Sequence, residues 1–170
     1  MKWGCTIKKL ILIFALVISP ALYAEEPEVI FHNFPWGTKL DVFTAKMGKP
    51  VHTEEIDGLK SLVYDKLTIS GYQAFMVVYF SKNGLEGGTY YFNTFSLEEL
   101  MQCYKDIQKE LLKKYGPTVL CDGIIKEMRP YESAWNLKNG YVYLKVNTRV
   151  NDPVTLWYSS PSLTKKLFGS

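Results

Sequence analysis

The chain has 170 residues, 47% of them hydrophobic and 15% aromatic, which excludes intrinsic disorder and is enough for one buried core. Its formal charge of +3 rests on three early lysines: setting Lys2, Lys8 and Lys9 aside from the 20 basic residues leaves 17 against 17 acidic ones. A chain so balanced lacks the global basic field of a nucleic-acid binder.

Those lysines, the apolar run from Leu10 to Ile18 and the segment Ser19-Pro20-Ala21-Leu22-Tyr23-Ala24 follow the three-part plan of a secretory signal peptide. Cleavage is expected after Ala21 or Ala24. Pro20 interrupts the apolar run well short of the about 20 residues that a spanning helix requires. Glu25-Glu26 stand where a lipoprotein would carry its Cys. The expected product is a single exported domain over 25–170, periplasmic or secreted, in a bacterium, with no integral membrane segment. In such a compartment Cys103 and Cys121 form an even pair suited to one disulfide, worth about 3 kcal/mol by loop entropy; two free, half-buried thiols are the alternative.

Thr38-Lys39-Leu40-Asp41 reads as a helix start with Thr38 as N-cap, and Leu40, Phe43 and Met47 then share one face before Gly48 and Pro50 stop the helix. A polar loop through Asp57-Gly58 leads to three expected strands, Leu62 to Ser70, Tyr72 to Ser81 and Leu85 to Thr94. Asn83-Gly84 joins the last two as a type I′ turn, with positive φ at both residues. Gly87-Gly88 inside the third run marks a bulge or a close approach of another part of the chain.

Ser96-Leu97-Glu98-Glu99 is a capping box, with Phe95 and Leu100 placed as a hydrophobic staple. Leu97, Leu100, Met101, Tyr104, Ile107, Leu111 and Tyr115 recur at helical spacing, opposite Lys105, Lys109 and Lys113. Cys103 falls on the shoulder of that stripe, where a chain returning after Gly116-Pro117 would bring Cys121. Strands are expected again over Ser133 to Leu137, Tyr141 to Val150 and Val154 to Ser159, with Asn139-Gly140 as a second type I′ signal and Asn151-Asp152-Pro153 as a turn.

These elements imply an α+β domain with two helices on one face of an antiparallel sheet of about six strands. The order of helix, Gly-Pro stop, strands and Asn-Gly hairpin occurs twice, so a tandem pseudo-repeat with half-units 34–94 and 95–160 is one reading and convergence the other.

Phe34-Pro35-Trp36-Gly37-Thr38, followed by a short helix and Met47-Gly48-Lys49-Pro50, resembles the entry helix of β-lactamase-inhibitor-protein-like domains, a group that includes small outer-membrane-assembly lipoproteins. The resemblance covers about 17 residues at the motif level and is architectural elsewhere. It implies helices packed on an antiparallel sheet and a role in binding other proteins. The lipidated Cys of the assembly lipoproteins is missing, and no functional residue carries over.

No catalytic or cofactor motif stands out. His32 and His52 are the two histidines and lack the ligand spacing of a metal site. Glu54-Glu55 and Glu98-Glu99 are paired acids, one pair in a polar loop and the other at a helix N-terminus, where the dipole favours negative charge. Lys105, Lys109, Lys113 and Lys114 form a basic helix face diluted by Asp106 and Glu110, and Lys165-Lys166 a basic tail. The most suggestive set is Tyr141, Tyr143 and Lys145, joined by Trp135 and Trp157, on the outward face of the last strands. Tyr and Trp there bring large contact area to an interface. The first expectation is a non-enzymatic protein-binding domain using this aromatic face; the alternative is a small-ligand or lipid binder in which these rings line a pocket.

Overall fold

The computed structural model describes residues 27–93, 96–118, 131–146 and 153–168. The expected leader, Cys121, the staple residue Phe95, the end of the Tyr141–Val150 strand and the turn at Asn151-Asp152 lie outside them. Seven antiparallel strands form one sheet: β1 (His52–Ile56), β2 (Leu59–Ile69), β3 (Tyr72–Ser81), β4 (Gly84–Phe92), β5 (Glu132–Leu137), β6 (Gly140–Val146) and β7 (Val154–Ser159), in the order β1-β2-β3-β4-β7-β6-β5. Three helices accompany them: α1 (Leu40–Met47), α2 (Leu97–Tyr115) and α3 (Pro161–Phe168). The α+β class stands, while the expected two helices and six strands become three and seven among the described residues. A helix followed by three strands fits the second half; the first half carries a fourth strand, β1.

Register assigns the two faces. Tyr64, Met76, Tyr90, Leu156 and Leu144 lie on one continuous cross-strand row, so their side chains share a face. This inner face holds the main core. α2 contributes Leu100, Cys103, Tyr104, Ile107, Leu111 and Tyr115 to it. Its stripe is rotated from the expected one, so that Leu97 is exposed and Cys103 fully buried. Cys103 is a free thiol in the core, which removes support for the expected disulfide. α1 lies on the same face through Phe43, whose ring meets Phe34, Tyr64 and Phe80.

Ser96 caps α2 as expected, its hydroxyl accepting from the Glu99 amide at 3.1 Å. Thr38 does not cap α1. Its hydroxyl donates to the Pro35 carbonyl at 2.7 Å, and its own carbonyl accepts from the Leu85 amide. The helix therefore begins after Lys39, without a side-chain cap.

Both Asn-Gly hairpins form, one residue displaced from the expected turn: Ser81 pairs with Gly84 and Leu137 with Gly140, leaving Lys82-Asn83 and Lys138-Asn139 as loops. Neither asparagine has positive φ. Gly84 does have positive φ, and both glycines answer a further need, because the segment leading into α1 crosses both hairpin ends. Gly37 donates to the Leu85 carbonyl, Trp36 Nε1 to the Asn139 carbonyl, and the Val29 amide to Asn139 Oδ1. A β-carbon on Gly84 would collide with the Gly37 carbonyl, and one on Gly140 would meet Val29 and Trp36. The opening motif is thus a clip joining the two halves of the sheet. Two-residue loops with positive φ at both positions occur instead at Asp57-Gly58 and Ser70-Gly71, between β1, β2 and β3.

Candidate functional site: the outer face of the sheet and helix α3

Alternation places Tyr79 and Phe75 of β3, Thr89 and Tyr91 of β4, Thr155 and Trp157 of β7, and Tyr141, Tyr143 and Lys145 of β6 on the outer face. Across the strands Thr89 faces Trp157, which in turn faces Tyr143. The rings of Phe75, Tyr79, Tyr91, Tyr143 and Trp157 are half-buried rather than enclosed, because the helical layer of α1 and α2 lies on the other side.

The outer face carries α3 at one end. The sequence Ser160-Pro161 supplies the start of this helix: Ser160 Oγ accepts from the Leu163 amide at 3.1 Å, and proline is suited to the first helical position. The residues read from sequence as a basic tail are its last turn. Two adjacent glycines of β4 explain its height above the sheet. A β-carbon on Gly87 would stand 2.6 Å from Leu163 Cδ2, so the leucine rests on bare backbone. On the inner face Gly88 leaves the same room for the Phe31 ring.

Glu86, immediately before them, is the extra residue of a β-bulge: Tyr79 pairs with Gly87 but Phe80 with Leu85. Its carboxylate is 8% exposed and accepts hydrogen bonds from the hydroxyls of Ser81, Ser160 and Ser162, while its carbonyl accepts from the Ser160 amide. Burial works to raise its pKa; the three hydroxyls outweigh that and hold the carboxyl below its ordinary range. At the other end of α3, Lys166 Nζ donates to the Asp57 carbonyl at 2.7 Å. The helix is therefore tied at both ends to the first half of the sheet.

Between α3 and the outer face lies a cleft of about 680 Å³. Tyr79, Thr89, Tyr91, Tyr143 and Trp157 form its floor, Leu163 and Leu167 one wall, and Ile56, Asp57 and Leu59 of the first hairpin one end. Burial, and then its contacts with Tyr91, push the Tyr79 hydroxyl up to about 12, so it stays protonated at neutral pH.

Of the residues expected to bind a partner, Tyr143 and Trp157 line the cleft. Tyr141 shares their face but is buried, its ring 6.3 Å from Tyr143 and 6.1 Å from Trp157, so it supports the other two. Lys145 faces Thr155 at the margin. Trp135 is on the opposite face: it is fully buried in the main core and donates to the Gly116 carbonyl at 2.9 Å. Its register opposite Val142 places it there. Sequence reasoning missed Tyr79, Thr89 and Tyr91, although alternation within their strands was visible, and missed the wall because the Ser-Pro helix start was not read.

His32 Nδ1 lies 2.8 Å from the Tyr90 hydroxyl, and burial lowers its pKa. His52 is near Glu54 at 3.8 Å. Among the described residues no cluster of three or more metal-ligating side chains occurs, and no helix is long and apolar enough to cross a membrane.

No family model and no curated protein matches this chain. Solved structures do match, two of them as follows. A cysteine-rich secretory protein from Staphylococcus aureus subsp. aureus Mu50 superposes with a TM-score of 0.51 at 14% identity, over 82% of this chain and 47% of that one. An extracellular protein containing a SCP domain from Bacillus anthracis str. Ames gives a TM-score of 0.43 at 12% identity, over 82% of this chain and 50% of its own. The chain spans about half the length of each, and the likeness to the first is one of fold alone.

Proposed function

We propose that this is an exported binding protein that holds a small, largely apolar guest between the outer sheet face and α3. The cleft carries the reading: at about 680 Å³ it falls within the range of small-molecule sites, and its floor is aromatic with a few hydroxyls. The signal-like leader supports export, and the neighbour of similar fold is itself named a secretory protein. A protein partner on the same aromatic face, the role that the inhibitor-like resemblance implies, is the rival. A guest held from several sides suits a walled cleft better than a broad partner does, since an interface of standard size needs about 800 Å² per side.

Native mass spectrometry of the protein purified from its own host is expected to show a bound small molecule. Naphthalene is expected to bind saturably, followed by tryptophan emission and by thermal shift, and Trp157→Ala to weaken it at least about tenfold through lost ring contact. Absence of both added mass and saturable binding, with Trp157-dependent capture of an envelope protein, would overturn the reading in favour of the protein partner.

A further inference from the structure

Resting on that reading, we infer that the guest is an uncharged, ring-bearing molecule that presents a hydroxyl or carbonyl to Ser61. Ser61 lies on β2, opposite Tyr79 of β3 and Glu54 of β1, and therefore on the outer face. It lines the cleft yet is 1% exposed, and its Oγ has no hydrogen-bond partner among the described residues. Buried hydroxyls are ordinarily satisfied, and one left unpaired at the floor of an apolar cleft is a position where a guest's polar group replaces lost hydration. Its neighbour does not serve: the Tyr79 hydroxyl is already engaged with Thr89 and Tyr91.

The charge of the guest follows from where the charged groups stand. Asp57 and Lys166 line the cleft but are exposed at its mouth, of opposite sign, and the Lys166 ammonium is held by the Asp57 carbonyl. Glu54, across from Ser61, is exposed as well. The buried floor offers hydroxyls and rings but no counter-ion, so a charged guest would lose its hydration without a partner. A neutral ring packs over Tyr79 and the neighbouring floor of the cleft while its substituent reaches Ser61. Strands lie about 4.8 Å apart, so a two-ring guest whose substituent meets Ser61 on β2 covers Tyr79 on β3 and reaches toward Thr89 on β4, while the full span from β2 to β7 is roughly 14 Å.

Naphthalene, 2-naphthol and 2-naphthoate separate these requirements, titrated against the whole mature protein by tryptophan emission. The wild type is expected to prefer 2-naphthol over naphthalene by about five- to tenfold, the value of one net hydrogen bond. It should bind 2-naphthoate more weakly than 2-naphthol. Ser61→Ala should abolish the preference and leave naphthalene binding unchanged, while Ser61→Thr, which keeps the hydroxyl, should retain it. The unliganded Ser61→Ala protein should unfold at the same or a higher temperature, since an unsatisfied buried group is removed. Equal binding of naphthol and naphthalene by the wild type, or a preference that survives in Ser61→Ala, overturns the inference and leaves the proposed function standing; failure of all three probes counts against both.

Discussion

Leu163 rests directly on Gly87, its Cδ2 2.6 Å from where a β-carbon of residue 87 would be. The φ of Gly87 is not positive, so space rather than backbone conformation makes glycine necessary there. Gly87→Ala is accordingly expected to lift α3 and widen the cleft, at a cost of about 1–3 kcal/mol for overpacking. Hydrogen exchange should show faster exchange in α3 and little change in α2. Unchanged exchange and stability would mean that α3 is not set by this contact.

The Glu86 carboxylate gives the same helix a dependence on pH. Because its folded pKa is lowered, its contribution is present above its ordinary value of 4.5 and is lost as pH falls through the lowered folded value. Urea unfolding of wild type and Glu86→Gln should differ by about 1.5–3 kcal/mol at pH 7, the range for hydrogen bonds to a charged group. The gap should shrink below pH 4. A gap that is constant with pH would show that the carboxylate charge is not what holds Ser160 and Ser162.

Trp135 and Trp157 have opposite tasks although the sequence reading placed them together. Trp135→Ala should cost about 3–5 kcal/mol, as for a large core deletion, with the Gly116 carbonyl left unpaired. Trp157→Ala should cost much less stability and lose naphthalene binding. Chemical denaturation and titration of the two variants test this directly, and reversed effects would show the faces to be misassigned.

Cys103 is buried, and burial raises its thiol to about 12. It should resist alkylation at pH 8 in the native protein and react once unfolded, as mapped by peptide mass spectrometry. The melting temperature should not change on adding reductant. A reductant-dependent fall in melting temperature would restore the disulfide.

Much of the frame could be read from local pattern. The Ser96 capping box and the 3.6-residue stripe announced α2, and Val154–Ser159 matches β7 residue for residue. β1 was not seen because all five of its residues are exposed and show no alternation, even though Asp57-Gly58 marked its turn. Local chemistry governs caps, periodicity and the presence of a hairpin, since these depend on neighbours within a few residues.

Which face each aromatic joined was settled by strand register, because a shift of one residue exchanges the two sides of a sheet. That is why Trp135 parted from Trp157, whereas Cys103 turned into the core through the way α2 is rotated on the sheet. The glycines make the same point. Gly84, Gly87, Gly88 and Gly140 mark places where a distant segment passes close to the backbone, and the identity of that segment is a property of the folded chain. The cleft itself arises from β1, β2, β3, β4, β6, β7 and α3 together. Its residues are far apart in sequence and come together only because β7 pairs with β4 and carries α3 onto the outer face.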